Sequence, residues 1–222
     1  VEIWHCRARI FAALVLGAFV MAACSEPEPP TINLYRAIHI GDLHQIKRHL
    51  FWGTEINQPG PDGDLPLHVA ARRGRVVIAS ELLAHGAEVD ARNGAGRTPL
   101  QVALIEGKTQ LARLLIQEGA SEDPQSLLFL LARAGVSDRD SLELLISQGA
   151  DVNGADETGA TPLHIAITNG HLVLTKRLID EGADVNALDG AGRTPLAIAM
   201  SLGRRDIVAA LEPFGARIEP VP

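Results

Sequence analysis

The feature that most constrains this 222-residue chain is a recurrence every 33 residues. Leu34, Leu67 and Leu100 are spaced by 33, as are Leu163 and Leu196. Each is followed seven residues later by a glycine (Gly41, Gly74, Gly107, Gly170, Gly203) and nineteen residues later by another (Gly53, Gly86, Gly119, Gly182, Gly215). Apolar residues make up 46% of the chain and aromatics only 4%, which suits thin layers of short aliphatic helices better than one thick centre. A single unit of this size hides too little apolar surface to offset the entropy of ordering it. The units must therefore stack, each burying its neighbour's face.

The residues around those leucines give the unit its local structure. They read Leu65-Pro66-Leu67-His68-Val69-Ala70, Thr98-Pro99-Leu100-Gln101-Val102-Ala103, Thr161-Pro162-Leu163-His164-Ile165-Ala166 and Thr194-Pro195-Leu196-Ala197-Ile198-Ala199. A threonine hydroxyl caps the orphan N–H groups of a helix, and proline fits the first helical position, where no N–H is needed. The first glycine supplies the left-handed residue that ends the helix; a second helix, such as 76–84 or 172–180, stops at the second glycine. Leu65 stands where the other units carry Thr, and the missing cap costs about 1 kcal/mol.

This pattern resembles the ankyrin repeat, Thr-Pro-Leu-His-x-Ala at a 33-residue period. The resemblance covers residues 33–217. It implies an all-α solenoid of about six stacked helix-turn-helix units, with short β-hairpin fingers between units and a concave surface of fingers and first helices. It also gives His68 and His164 a structural role, binding turn backbone and locking adjacent repeats. Function is expected on the concave surface. In register, its candidate contact residues are Asp62 and Asp64, Arg72 and Arg73, Arg97 and Glu106, Glu157 and Thr158, Thr168 and Asn169, and Arg193.

Two places depart from the pattern. Thirteen residues separate Gly86 from Pro99, but only five separate Gly119 from Pro124. The divergent unit, 120–152, therefore has no room for a finger, and a notch is expected there. It either spaces its neighbours or forms a cleft or hinge. Phe51 and Trp52 occupy positions that carry Ala84-His85, Gln117-Glu118, Ser147-Gln148 and Asp180-Glu181 elsewhere. The aromatic pair packs on the preceding Pro-rich segment or anchors a partner.

The N-terminal stretch has a different character. Arg7 and Arg9 precede an uncharged apolar run from Ile10 to Ala23, shorter than a bilayer-spanning helix and of the length of a signal-peptide core. Met21-Ala22-Ala23-Cys24 resembles a bacterial lipobox. The resemblance implies a signal peptide over residues 1–23 and acylation of Cys24. It places the protein in the periplasm on the outer membrane, with secretion or the cytoplasm as the alternatives. Residues 24–32, rich in Pro and Glu and without apolar periodicity, read as a stiff spacer that holds the domain off the membrane, and 218–222 read as a short tail.

Several function classes are disfavoured. A net charge of −7 and a pI near 5.6 speak against nucleic acid, which is bound through clustered Lys and Arg. His39, His44 and His49 are spaced by five, which does not bring successive rings to one helix face. No nucleophile, phosphate-loop or metalloprotease motif occurs. The expectation is a non-catalytic protein that binds a protein partner, needs no cofactor, takes no small-molecule substrate, and touches the membrane through Cys24. An inhibitor or immunity-type protein that neutralises a toxic enzyme, or a cytoplasmic interaction protein whose N-terminus is misassigned, are the alternatives.

Overall fold

The computed structural model describes residues 26–218; the expected signal peptide, Cys24 and the last residues of the tail lie outside them. Twelve α-helices form six hairpins: α1 (Leu34–Ile40) and α2 (Leu43–Phe51), α3 (Pro66–Arg73) and α4 (Val76–Ala84), α5 (Pro99–Ile105) and α6 (Thr109–Gln117). The second three are α7 (Pro124–Ala134) and α8 (Arg139–Ser147), α9 (Pro162–Thr168) and α10 (Leu172–Asp180), and α11 (Pro195–Ser201) and α12 (Arg205–Leu211). A 3-10 turn, Glu212–Phe214, follows. First helices pack on one another in chain order from α1 to α11, second helices form a parallel row, and α8 and α10 are its loosest junction.

Caps define the helix starts as the motif requires. Thr98 Oγ1 accepts from Gln101 N at 3.2 Å and Thr194 Oγ1 from Ala197 N at 3.2 Å. Asp123 takes the same role ahead of α7, and Leu65 offers no side-chain cap. One continuous aliphatic core runs through the stack, with Leu82, Leu104, Leu115, Leu128 and Leu145 fully buried. The α7 run of Leu127, Leu128, Phe129 and Leu131 is buried, so the divergent unit keeps its place in the core.

The fingers are tighter than hairpin strands. Each is a five-residue turn with one backbone bond across its base, Gly60 N to Asp64 O, Asn93 N to Arg97 O, Asp156 N to Ala160 O and Asp189 N to Arg193 O, and a second inside it, Gly63 N to Gly60 O, Gly96 N to Asn93 O, Gly159 N to Asp156 O and Gly192 N to Asp189 O. No β-strand occurs among the described residues, because both bonds fall on the turn's own first residue and leave no ladder between two strands. Fingers touch in pairs, with Gly94 N donating to Gly63 O at 2.8 Å and Gly190 N to Thr158 O at 3.1 Å. A Cβ on Gly190 would collide with the Thr158 carbonyl, so this close approach requires glycine.

Between the pairs, residues 120–123 run directly into α7 with no finger, and the notch is present. Its chemistry is adjusted to match. His68 and His164 donate from Nε2 to the finger carbonyls of Arg97 at 2.8 Å and Arg193 at 3.3 Å. Gln101, in the same motif position, has no such carbonyl ahead of it. Its amide instead donates to Glu122 Oε1 at 2.9 Å, while Thr98 Oγ1 donates to Glu122 Oε2 at 3.1 Å.

A second set of locks lies nearer the outer helices. Asn57, Asn153 and Asn186 each donate from Nδ2 to the glycine carbonyl ending the next outer helix (Gly86, Gly182, Gly215) and accept from the backbone N two residues beyond it. At the chain start, residues 26–32 lie against α2. Trp52 Nε1 donates to Pro27 O at 3.1 Å, Arg48 pairs with Glu28 at 3.1 Å, and His49 Nε2 donates to Ile32 O at 2.7 Å. Trp52 of the aromatic pair therefore packs on the Pro-rich segment, with Phe51 edge to face against it. From Pro27 onward the spacer is part of the folded end and not a free arm.

Candidate functional site

On the finger-and-first-helix face the candidate residues fall into two groups on either side of the notch. In the N-terminal half, Asp64 Oδ2 accepts from Arg72 Nη2 at 2.7 Å and Asp64 Oδ1 from Asn93 Nδ2 at 2.6 Å, while Arg72 Nη1 reaches Glu106 at 3.3 Å. These bonds push the Arg72 guanidinium further above its ordinary range, the hydrogen bond to Asp64 leading. Arg72, Asp64 and Glu106 thus satisfy one another and tie two successive units together. Arg73 Nη2 lies 3.1 Å from both ring nitrogens of His39. Asp62 and Arg97 are exposed on the fingers, with no side-chain partner among the described residues.

The C-terminal half contains an open groove of about 760 Å³ directly beyond the notch. Thr158, Thr168, Asn169 and Arg193 line it, with Ile165 and Ile198 at its base. Glu157 lies on the adjoining finger, exposed and outside the groove lining. The groove is pre-ordered by its own turns. Asp156 Oδ1 accepts from Thr158 N, Thr158 Oγ1 and Ala160 N, and Asp189 Oδ1 accepts from Ala191 N and Arg193 N.

Each of these carboxylates also holds a guanidinium, Arg133 at 3.5 Å from Asp156 and Arg193 at 2.7 Å from Asp189. Hydrogen bonds from Thr158 keep the Asp156 carboxyl below the usual range against some burial. Burial pushes the Asp189 carboxyl upward, but the bonds from Arg193 outweigh it and the net displacement is downward. Both acids are therefore charged and occupied at the finger bases. The two guanidiniums remain 60% and 58% exposed, with donors free to meet a ligand.

At the end of α9, Thr168 Oγ1 donates to His164 O at 2.8 Å and Asn169 Nδ2 to Ile165 O at 3.0 Å. Those bonds orient the acceptor oxygens of both side chains. Beneath, His164 Nδ1 accepts from Thr161 N and Oγ1, so its Nε2 carries the proton given to Arg193 O. Burial pushes this imidazole below the ordinary histidine range. This buried ring, with both nitrogens engaged, holds the finger turn beneath the groove. Among the described residues, no three His, Cys, Asp or Glu side chains converge on one point. The arrangement offers hydrogen bonds and two cationic edges over a short apolar base, which is binding chemistry.

Sequence register identifies Thr158, Thr168, Asn169 and Arg193 but misses Arg133, Asp156 and Asp189. The two acids carry a legible signal, since they are 33 residues apart at the first position of their fingers. Arg133 carries none, because α7 belongs to the divergent unit and has no register to compare.

The family profile described as "Ankyrin repeats (3 copies)" matches residues 34–126 and 128–220. The potassium channel SKOR of Arabidopsis thaliana is 49% identical over 148 residues, which is 66% of this chain but only 18% of that protein's length. Among solved structures, the human ASB11 ankyrin repeat domain aligns with TM-score 0.65 and 25% identity over 84% of this chain and 85% of its own. The ankyrin repeat domain of Bcl-3 aligns with TM-score 0.65 and 24% identity over 86% and 89%, a likeness of fold. A chain from the complex of the Bd0816 predatory endopeptidase of Bdellovibrio bacteriovorus with immunity protein Bd3460 aligns with TM-score 0.61 and 25% identity, over 81% of this chain and 96% of that one. With the paired helices, glycine stops and finger turns in one register and the profile spanning the stack from its first helix to its last, this chain belongs to the ankyrin-repeat family.

Proposed function

We propose that this is a non-catalytic interaction protein that holds a protein partner on its finger-and-first-helix face, exported to the periplasm and anchored to the outer membrane through acylated Cys24. The observation that carries the binding reading is the groove beyond the notch. Its turns are closed by internal bonds before any partner arrives, so little conformational entropy remains to be lost on contact. Its exposed guanidiniums, Arg133 and Arg193, suit carboxylates and backbone carbonyls of a protein loop. The absence of a neighbouring finger leaves the Arg133 side open to approach. The lipobox-like Met21-Ala22-Ala23-Cys24 supports the anchor and the compartment.

One version is favoured by a specific likeness. A chain in the complex of an endopeptidase with its immunity protein shares this fold at 25% identity, which supports an inhibitor or immunity-type role against a toxic enzyme. Photo-crosslinking in living cells tests the binding face. A crosslinker at Asn169, at the groove, is expected to trap one stoichiometric protein adduct that a crosslinker at Val173, exposed on outer helix α10, does not. Equal trapping at both positions, or none at either under any growth condition, overturns the reading. Intact mass of the processed chain tests the anchor, because an N-terminus retaining Arg7 and Arg9 returns the protein to the cytoplasm.

A further inference from the structure

We propose that the α1–α2 end of the stack rests on the lipid bilayer, with Trp52 and Phe51 seated in its headgroup layer beside the anchor. This rests on the acylation of Cys24 proposed above and adds an orientation to it. Five contacts pin the spacer along α2: Pro27 O to Trp52 Nε1, Glu28 and Pro29 O to Arg48, Thr31 N to Gln45 Oε1, and Ile32 O to His49 Nε2. Only Cys24, Ser25 and Glu26 are left as tether. Three residue steps from Cys24 to Pro27 span at most about 11 Å even when fully extended.

The Pro27 carbonyl lies 3.1 Å from the Trp52 indole nitrogen. A lipid on Cys24 therefore keeps the indole within roughly 15 Å of the anchored backbone, close to the headgroup region that flanks the ~30 Å hydrocarbon core.

The exposed surface at this point suits that layer. Trp52 is 48% and Phe51 36% exposed, and their rings meet edge to face at 5.8 Å. The corresponding residues of the inner units are polar or small. Tryptophan prefers the membrane interface because its ring is apolar and its N–H is polar. Here the N–H is satisfied by Pro27, so the indole enters lipid headgroups without an unpaired donor. With this end on the membrane, the groove at Arg133 and Arg193 stands three to four layers away, about 30–40 Å at helix-packing distances of ~10 Å. That clearance lets a soluble partner reach it.

Trp4 precedes Cys24, so Trp52 is the sole tryptophan of a chain processed there. The test uses the full chain expressed with its own leader and purified from membranes. Intact mass establishes acylation, and the protein is reconstituted into phosphatidylethanolamine–phosphatidylglycerol vesicles carrying headgroup spin-labelled lipid. Trp52 emission is expected to fall about twofold relative to unlabelled vesicles. Inserting about ten Gly/Ser residues between Ser25 and Glu26 is expected to restore the emission without moving the melting temperature. An acylated chain whose Trp52 is not quenched, or is quenched equally with the insertion, overturns the proposal while leaving the anchor intact. A chain that is not acylated overturns the anchor and this orientation together, and the mass distinguishes that case.

Discussion

Asp90 is the natural site at which to test whether the asparagine clamps hold the stack together. Asn57, Asn153 and Asn186 each reach the glycine carbonyl 29 residues on and the backbone N–H 31 residues on, at distances of 2.7–3.2 Å. Asp90 occupies the same register, facing Gly119 and Ser121. It keeps the second half of the clamp, accepting from Ser121 N at 3.3 Å and Ser121 Oγ at 2.7 Å, both through Oδ2. Its Oδ1 is buried without a partner, because a carboxylate has no hydrogen to give the Gly119 carbonyl. Asp90→Asn supplies that hydrogen. The gain is one net hydrogen bond, about 0.5–1.5 kcal/mol, and relief of a buried unsatisfied acceptor, about 1–3 kcal/mol. Against this, the Ser121 bonds lose their charge assistance, about 1 kcal/mol. The substitution also removes a like charge that acts on Glu122. The net expectation is about 1–2 kcal/mol of stabilisation, or roughly 2–8 °C in melting temperature for a chain of this size. Repeat stability is a sum of neighbour terms, so amide hydrogen exchange should slow around α5–α7 and stay unchanged at α11–α12. An unchanged or lowered midpoint with native helicity would refute the clamp argument.

The other predictions concern the motif histidines and their caps. Thr161→Val keeps shape but removes the hydroxyl that caps α9 and donates to His164 Nδ1; a loss of about 1–2 kcal/mol is expected in urea denaturation. Leu65 already imposes that loss naturally, since His68 Nδ1 is buried without a partner. An equal melting temperature for Thr161→Val and the parent would sink the coupling of cap to ring. Burial holds the folded-state pKa of His68 and His164 below the unfolded value of 6.5. Their neutral form therefore contributes stability that is full above that pH and declines as pH falls through it. The urea midpoint should drop between pH 7.5 and 5.5, and the drop should shrink in a His68→Gln, His164→Gln variant. Glu122 works in the opposite direction. Burial raises its carboxyl above 4.5, so stability is lost as pH rises through its folded-state pKa, and Glu122→Gln should raise the midpoint at pH 7.

The legible part of this protein is what repeats. A 33-residue register fixes where prolines open helices, where glycines end them and which faces are apolar, so the six hairpins and the missing finger at residues 119–124 can be read before any coordinates exist. Register also places Thr158, Thr168, Asn169 and Arg193 on one face, because identical units put identical positions on identical surfaces. What breaks register could not be read this way. The Arg133 side chain reaches Asp156 from the one unit with no counterpart, and Gln101 gains its meaning only from Glu122, which fills the space a finger would occupy. Arg72, Asp64 and Glu106 look like contact residues in one dimension, and their pairing with one another appears only in the packed stack. Local rules act over a few residues and recur in the sequence. Pairing between side chains from successive layers depends on distances of a few ångströms that only the completed stack establishes.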